Sequence, residues 1–307
     1  MTVTAAPVPR NRTLAALGAI VVYASVIGFT DNHVRMIAAD AGLWQFHATR
    51  TAMTFALLAI TAVPLGLRLR PVKPWAVIAR SALHGLAMLV YFGSLAFLPV
   101  AIAAAGLFTA PVFVLLISRF VYGERIGPYR IVAVALGFAG MVLMLGLGGG
   151  QALHLAALPP LAAGALYAMG NIATRRWCEG ESPEVLTAGF FGMLGLFGLI
   201  GMMILEVWQP VAPAGMEGFV LRGAVWPTDT FLLWTFIQAA GSLLGVGMMV
   251  WAYQVADASR VSIFEYLTLP MSALWTWILW DEMLDLRAIA GMALIVVAGL
   301  VIVLRGR

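Results

Sequence analysis

The chain has 307 residues, 62% of them hydrophobic and only 10% charged, with a mean hydropathy of +0.97 and a formal net charge of +4. That leaves too little polar surface to dissolve a globule, so the chain belongs in a bilayer, where every backbone N–H and C=O must find an internal partner in helices or a closed barrel. Apolar runs of about twenty residues without period-2 alternation select helices and exclude the barrel, while a nucleic-acid reading of the basic pI would need a basic face on a soluble fold.

Ten spans are predicted, at 14–34, 45–67, 75–97, 101–122, 130–147, 152–174, 184–207, 230–254, 260–280 and 288–304. The first follows a short lead containing Pro and Arg and is long enough to cross, so no cleavable signal peptide is expected. Asp31 closes span one. Arg50 lies inside span two, below Gln45 and His47; its guanidinium could receive a substrate carboxylate, or form a structural ion pair with Asp31 or Asp40 that pins the first two helices together. In span three, His84 stands near mid-depth, as a titratable gate or as a core histidine held by a backbone carbonyl. Tyr91, seven residues on, is expected on the same face. Span four contains Pro111, which interrupts helical hydrogen bonding and is a candidate hinge.

Tyr167 and Asn171 in span six, one turn apart, offer donors and acceptors on one face, either to a substrate or as a bridge between helices. Span seven is glycine-rich, with Gly189, Gly192, Gly195, Gly198 and Gly201 spaced for close helix contact. The connection 209–228 is rich in Pro and Gly and reads as a short interfacial segment. Span eight repeats the i, i+4 pattern with Gln238 and Ser242, and Trp251 further along could stack an aromatic or apolar substrate. Span nine holds Glu265, a carboxylate that in hydrocarbon needs a cavity, a partner or a proton. It reads as a proton-linked or amine-binding group, or as a structural acid near Ser262 or an arginine. Pro270 follows as a second candidate hinge.

Two stretches of the sequence are related. Pro111 aligns with Pro270, Gly140 with Gly299 and, across a one-residue gap, Glu124 with Glu282. The expected organisation is therefore two five-helix repeats, 1–150 and 151–307. An odd number of spans per repeat inverts the second, and an inverted pair can pack in two ways, one open to each side of the membrane. Of the 18 basic residues, all but Arg35, Arg50, Arg222 and Arg287 fall on the side of the N-terminus. The positive-inside rule makes that side cytoplasmic and puts both termini there.

The proline, apolar stretch and terminal G-E or D-E, seen at Pro111 with Gly123-Glu124 and at Pro270 with Asp281-Glu282, resemble the drug/metabolite transporter superfamily, and within it the EamA-type ten-helix carriers. The segment A-Y-Q-V-A-D-A-S-R-V-S-I-F-E-Y-L-T-L-P from Ala252 to Pro270 is similar to a recognisable stretch of many members, and Asp31, Arg35, Gln45 and Arg50 resemble the first two helices of a bacterial branch. The resemblance implies an all-α membrane protein of ten transmembrane helices in two inverted repeats. It also implies a secondary carrier of the inner membrane that exports small amphipathic metabolites, amino acids first, by alternating access. The alternatives are uptake or exchange of a nucleoside-like or cofactor metabolite, and, outside transport, a lipid-modifying or regulatory membrane protein.

Cys178 is the sole cysteine, and the four histidines lack metal-ligand spacing, so no disulfide framework, metal site or cofactor is expected. No Walker or dinucleotide loop is present, so neither an ATPase subunit nor an enzyme is implied. A small-molecule substrate and the lipid bilayer are the expected partners, with a monomer as the expected state and a dimer as the alternative.

Overall fold

The computed structural model describes residues 10–67, 69–98, 100–144, 158–281 and 285–305, and among them there are helices and turns but no strand. In chain order the helices are α1 Arg10–Asp31, α2 Val34–Asp40, α3 Leu43–Ala62, α4 Pro74–Ser94, α5 Val100–Leu107, α6 Ala110–Phe120, α7 Pro128–Met144, α8 Leu158–Arg176, α9 Pro183–Trp208, α10 Asp229–Val255, α11 Ala258–Phe264, α12 Thr268–Trp280 and α13 Leu286–Arg305. Expected spans four and nine are thus each divided in two, while span one is the single helix α1 followed by the short α2. Six helical stretches meet the length and hydropathy of a membrane span, namely Arg12–Asp40, Pro74–Ser94, Ala103–Phe120, Pro183–Trp208, Asp229–Val255 and Leu286–Arg305, and Pro128–Met144 is a shorter apolar helix. The helices α3 and α8 and the broken pair α11–α12 fall outside those limits, since they carry much of the buried polar chemistry or are interrupted by it.

The bundle is polar inside and apolar outside. Arg50, Arg80, His84, Asn171, Gln238 and Glu265 are buried, whereas Leu199, Ile200, Met203, Ile204, Val296, Val297 and Leu300 are exposed on helix surfaces, where lipid would cover them. Such an inversion is tolerated only where polar groups face one another or a cavity.

Small residues set the closest approaches. The glycine stripe of α9 lies against α3: a Cβ at Gly195 would stand 2.5 Å from Thr51 Cγ2, and one at Gly198 2.7 Å from the Trp44 carbonyl. Thr51 Oγ1 donates to the Phe191 carbonyl across the same seam at 2.8 Å. The helices α7 and α13 meet backbone to backbone, since a Cβ at Gly140 would lie 2.7 Å from the Gly291 carbonyl oxygen.

The prolines sit differently from the sequence expectation. Pro111 is in the first turn of α6, after a break at Phe108–Thr109, and Pro270 is in the first turn of α12, after a 3-10 turn at Glu265–Leu267. A proline in a helix's first turn removes an N–H that has no intrahelical acceptor anyway. The interruption therefore precedes each proline, and the proline starts the next half-helix. Beyond α6 and α12, Gly123 and Asp281 both adopt left-handed backbone, at φ 65° and 50°. Aspartate is among the few side chains that tolerate this region, which explains Asp281 where the aligned position is glycine. Glu282 lies outside the described residues.

The 209–228 connection packs onto the bundle end opposite the N-terminus. Phe219 is fully buried, the Phe219 carbonyl accepts from Leu43 N at 2.8 Å, and the Val220 carbonyl accepts from Trp44 Nε1 at 2.8 Å. Gln45 holds Val225 as a strand would, donating to its carbonyl at 2.7 Å and accepting its N–H at 2.9 Å. Arg222 donates to the Ala38 carbonyl at 2.7 Å, placing a cation at the carboxyl end of α2, where unsatisfied carbonyls accumulate.

Candidate functional site

Two polar centres occupy the interior. The first gathers around Glu265, which the break between α11 and α12 presents to the bundle centre. Tyr167 Oη lies 3.4 Å from Glu265 Oε1 and 2.8 Å from Met249 Sδ. Tyr253 and Tyr23 also stand close to the Glu265 carboxylate. Asn171 Nδ2 donates to Tyr253 Oη at 2.9 Å, and Asn171 Oδ1 faces His84 Nε2 at 2.9 Å. His84 Nδ1 in turn faces the Arg80 carbonyl at 3.2 Å. One buried polar chain therefore runs from α4 through α8 and α10 to the carboxylate on the α11–α12 break, hydrogen-bonded from His84 to Tyr253 and from Tyr167 to Glu265. Gly170 allows it, because a Cβ there would overlap the His84 ring.

The second centre lies nearer the opposite end. Ser242 donates to Gln238 Oε1 at 2.8 Å, and Gln238 Nε2 donates to Asp31 Oδ1 at 3.0 Å. Arg50 packs over the rings of Phe46 and Phe191, 4.9 and 5.4 Å from their centroids, and Arg50 Nη2 donates to His47 Nδ1 at 3.3 Å. Among the described residues no carboxylate oxygen comes within 4.0 Å of this guanidinium. Asp31 and Arg50 feel each other's field but do not form the contact ion pair that the sequence suggested. Nearby, the rings of His33 and Trp234 stack with centroids 3.8 Å apart, and Tyr91 makes an edge contact with Phe92 at 5.1 Å.

Of the residues singled out in the sequence, the structure brings His84, Tyr167, Asn171 and Glu265 together, and joins Gln238 and Ser242 to Asp31. Tyr91 leaves His84: two turns separate them along α4, and Tyr91 lies in the field of Asp31 instead. Trp251 also departs from expectation, being 37% exposed. The buried face of α10 runs through Gln238, Ser242, Gly245, Met249 and Tyr253, and residue 251 falls about 200° around the helix from 249. Sequence reasoning gave Tyr23 and Arg80 no place in the site, and named Tyr253 only with Gln254, low in span eight, as a pair to line a cavity or bridge helices. Arg80 had counted only toward topology, yet it is fully buried, donating to Thr174 Oγ1 and the Leu186 carbonyl at 2.9 Å each. The spacing of Asn171 from Tyr167 held the available signal for Tyr253, because an amide on that face needs a partner on the facing helix.

The end of the bundle bearing the N-terminus is tied by arginines. Asp257, in the corner between α10 and α11, meets Arg130 at 3.2 Å, Arg260 at 3.3 Å and Arg175 at 3.6 Å. Arg176 pairs with Glu124. Gln254 Nε2 donates to the Glu181 carbonyl at 2.7 Å, and the Glu181 carboxylate accepts the backbone N–H groups of Val72 and Lys73. Both ends of the polar interior are thus covered, one by ion pairs and the other by the 209–228 connection.

A helical bundle with its ionisable groups turned inward and apolar helix surfaces turned outward is a multi-pass membrane protein. Residues 13–146 match the EamA-like transporter family, and the curated proteins that the chain resembles are named transporters of the drug/metabolite type. It is 28% identical to the riboflavin transporter of Rhizobium johnstonii over 78% of this chain and 72% of that protein. It is 27% identical to the pseudopaline exporter CntI of Pseudomonas aeruginosa, over 72% of each. It is 23% identical to the S-adenosylmethionine uptake transporter of Rickettsia prowazekii, over 76% of this chain and 74% of that one. The fold superposes on a crystal structure of another protein with a TM-score of 0.74 at 20% identity, covering 96% of this chain and 98% of that one.

Proposed function

We propose that the protein is an inner-membrane secondary carrier that exports small amphipathic metabolites, amino acids including aromatic or apolar ones, by alternating access. The observation that carries this reading is the buried chain from His84 to Glu265, assembled from α4, α8, α10 and the α11–α12 break and covered at both ends. A group binding there meets an acid, phenols and an amide that are shielded from both aqueous phases until one cover is released.

Ten spans in two inverted repeats, 1–150 and 151–307, supply the motion. Exchanging α1 with α8, α3 with α9, α4 with α10, α5–α6 with α11–α12 and α7 with α13 carries the principal helix contacts into one another: α1 on α10 becomes α8 on α4, and α4 on α9 becomes α10 on α3. The matching breaks before Pro111 and Pro270, and the matching left-handed residues Gly123 and Asp281, support the same twofold. In a carrier of this kind two exchanged packings of the repeats open the centre to opposite sides. The arginine-rich end is cytoplasmic by the positive-inside rule, with both termini on that side. Asp257 and its arginines then form the inner cover, and the 209–228 connection the outer.

A second reading is uptake or exchange of a nucleoside-like or cofactor metabolite. It is favoured by relatives named for riboflavin and S-adenosylmethionine, and by the stacked His33–Trp234 pair beside Asp31. Counterflow in proteoliposomes, with a panel of labelled amino acids, riboflavin and nucleosides and with or without a pH gradient, separates the two. Counterflow with amino acids supports a carrier for that class, counterflow confined to riboflavin or nucleosides favours the second reading, and flux that neither saturates nor exchanges would refute both.

A further inference from the structure

Two hydrogen-bond donors in the Arg50 centre are left without acceptors. A guanidinium has hydrogens and no lone pair to offer, so the contact between Arg50 Nη2 and His47 Nδ1 makes Nδ1 the acceptor. The proton of a neutral His47 then sits on Nε2. That nitrogen is buried and has no partner, and the same is true of Arg50 Nε. Arg50 is 4% exposed and His47 fully buried, so neither donor is satisfied by bulk water. Native interiors rarely leave such groups unpaired, and those that do are commonly waiting for a ligand or an ordered water.

The missing component is an anionic acceptor. Arg50 has no carboxylate in contact, and Phe46 and Phe191 press on its guanidinium from below, which shields it and sharpens its preference for an anion. Asp31 is held back by Gln238 and lies in the field of Arg50 without touching it. A site with one positive and one negative group kept apart suits a ligand that carries both charges. A phosphate would satisfy Arg50 but would be repelled by Asp31, and a simple amine would satisfy Asp31 but leave both donors orphaned.

We propose that Arg50 and His47 bind the carboxylate of a zwitterionic substrate whose ammonium group is held by Asp31, so that the α-amino acid head group is recognised in this half of the bundle. This inference rests on the carrier reading above, names its substrate class, and adds His47 and Arg50 as specificity-determining residues.

The test is equilibrium binding to the purified full-length protein in detergent, using L-phenylalanine, its methyl ester, phenethylamine, inorganic phosphate and riboflavin as probes. Phenylalanine is expected to bind at least ~10-fold more tightly than its ester or phenethylamine, each of which lacks the carboxylate. Arg50→Gln should bring phenylalanine down to the level of the ester while leaving phenethylamine unchanged, and Arg50→Lys should recover part of the preference. His47→Gln, which keeps a donor, should retain more of the preference than His47→Phe. The proposal is overturned if acid and ester bind wild-type protein equally, if Arg50→Gln keeps the preference, if phosphate binds and phenylalanine does not, or if no carboxylate-bearing probe binds. If Arg50→Gln fails to fold, the acid-to-ester ratio of wild type and of Arg50→Lys decides. Counterflow on the same preparation separates the two claims: a carrier that exchanges riboflavin or the ester without preferring the acid sinks this inference alone, whereas absence of counterflow with every probe sinks the carrier reading.

Discussion

Replacing Asp257 with asparagine removes one negative charge and leaves three guanidiniums facing each other. Asp257 is the shared partner of Arg130, Arg175 and Arg260 at 3.2, 3.6 and 3.3 Å, and its own side chain is 28% exposed. Partly exposed ion pairs contribute about 0.2–1 kcal/mol each, so three of them, with the repulsion uncovered by their loss, stabilise the closed inner end by about 2 kcal/mol. A shift of that size raises the open fraction roughly 30-fold. Cys178 is a native reporter. It is fully buried, donates weakly to the Ala76 carbonyl at 3.6 Å, and follows α8 on the turn tethered to the α10–α11 corner through Arg175 and through Gln254 on Glu181. Burial pushes its thiol up to about 11, so the closed protein reacts slowly with maleimide and labelling follows the opened population. At pH 7.5, Asp257→Asn should label about 30-fold faster than wild type. Glu124→Gln, which breaks only the more exposed pair with Arg176, should change the rate by less than about threefold. Equal rates in wild type and Asp257→Asn would refute the inner cover as described, and so would an equally large effect of Glu124→Gln.

Three further outcomes are expected. Glu265→Gln keeps an acceptor for Tyr167 but removes the charge, so the thermal midpoint in detergent should stay within a few degrees of wild type while counterflow falls at least ~10-fold; retained turnover would exclude a direct role for the acid. Gly195→Ala forces a methyl into Thr51 and should cost roughly 1–3 kcal/mol through overpacking, seen as a drop of several degrees in the same midpoint. Pro111→Ala and Pro270→Ala should each cost less than about 1 kcal/mol, because the breaks precede the prolines, yet should slow counterflow if continuous helices at these points impede gating; unchanged turnover in both variants would remove the hinge idea.

Much of the fold was legible in the sequence because the bilayer imposes one rule on all residues alike. Long apolar runs must be helical, and lipid-facing positions need only be apolar, so the helical class follows from composition and periodicity, whereas the breaks within spans four and nine do not. The candidate site was legible where chemistry is scarce: His84, Tyr167, Asn171 and Glu265 stood out as polar groups in apolar runs, and burial made each of them find a partner. Trp251 did not, because an aromatic ring is equally at ease in lipid or in a core, and only the rotation of α10 decides between them. Tyr91 shares a helix face with His84, but the distance along α4 assigns the two residues to different centres.

The sequence by itself determined the solvent of this protein, its helical class and which residues would be costly to bury, since these depend on local composition and on the energetics of unpaired polar groups in hydrocarbon. Only the tertiary structure decided which of those groups meet. Pairing His84 with Asn171, setting Asp257 among three arginines and leaving Arg50 without a carboxylate all depend on how helices far apart in sequence rotate and cross, and that is fixed by side-chain packing and small-residue contacts rather than by any one span.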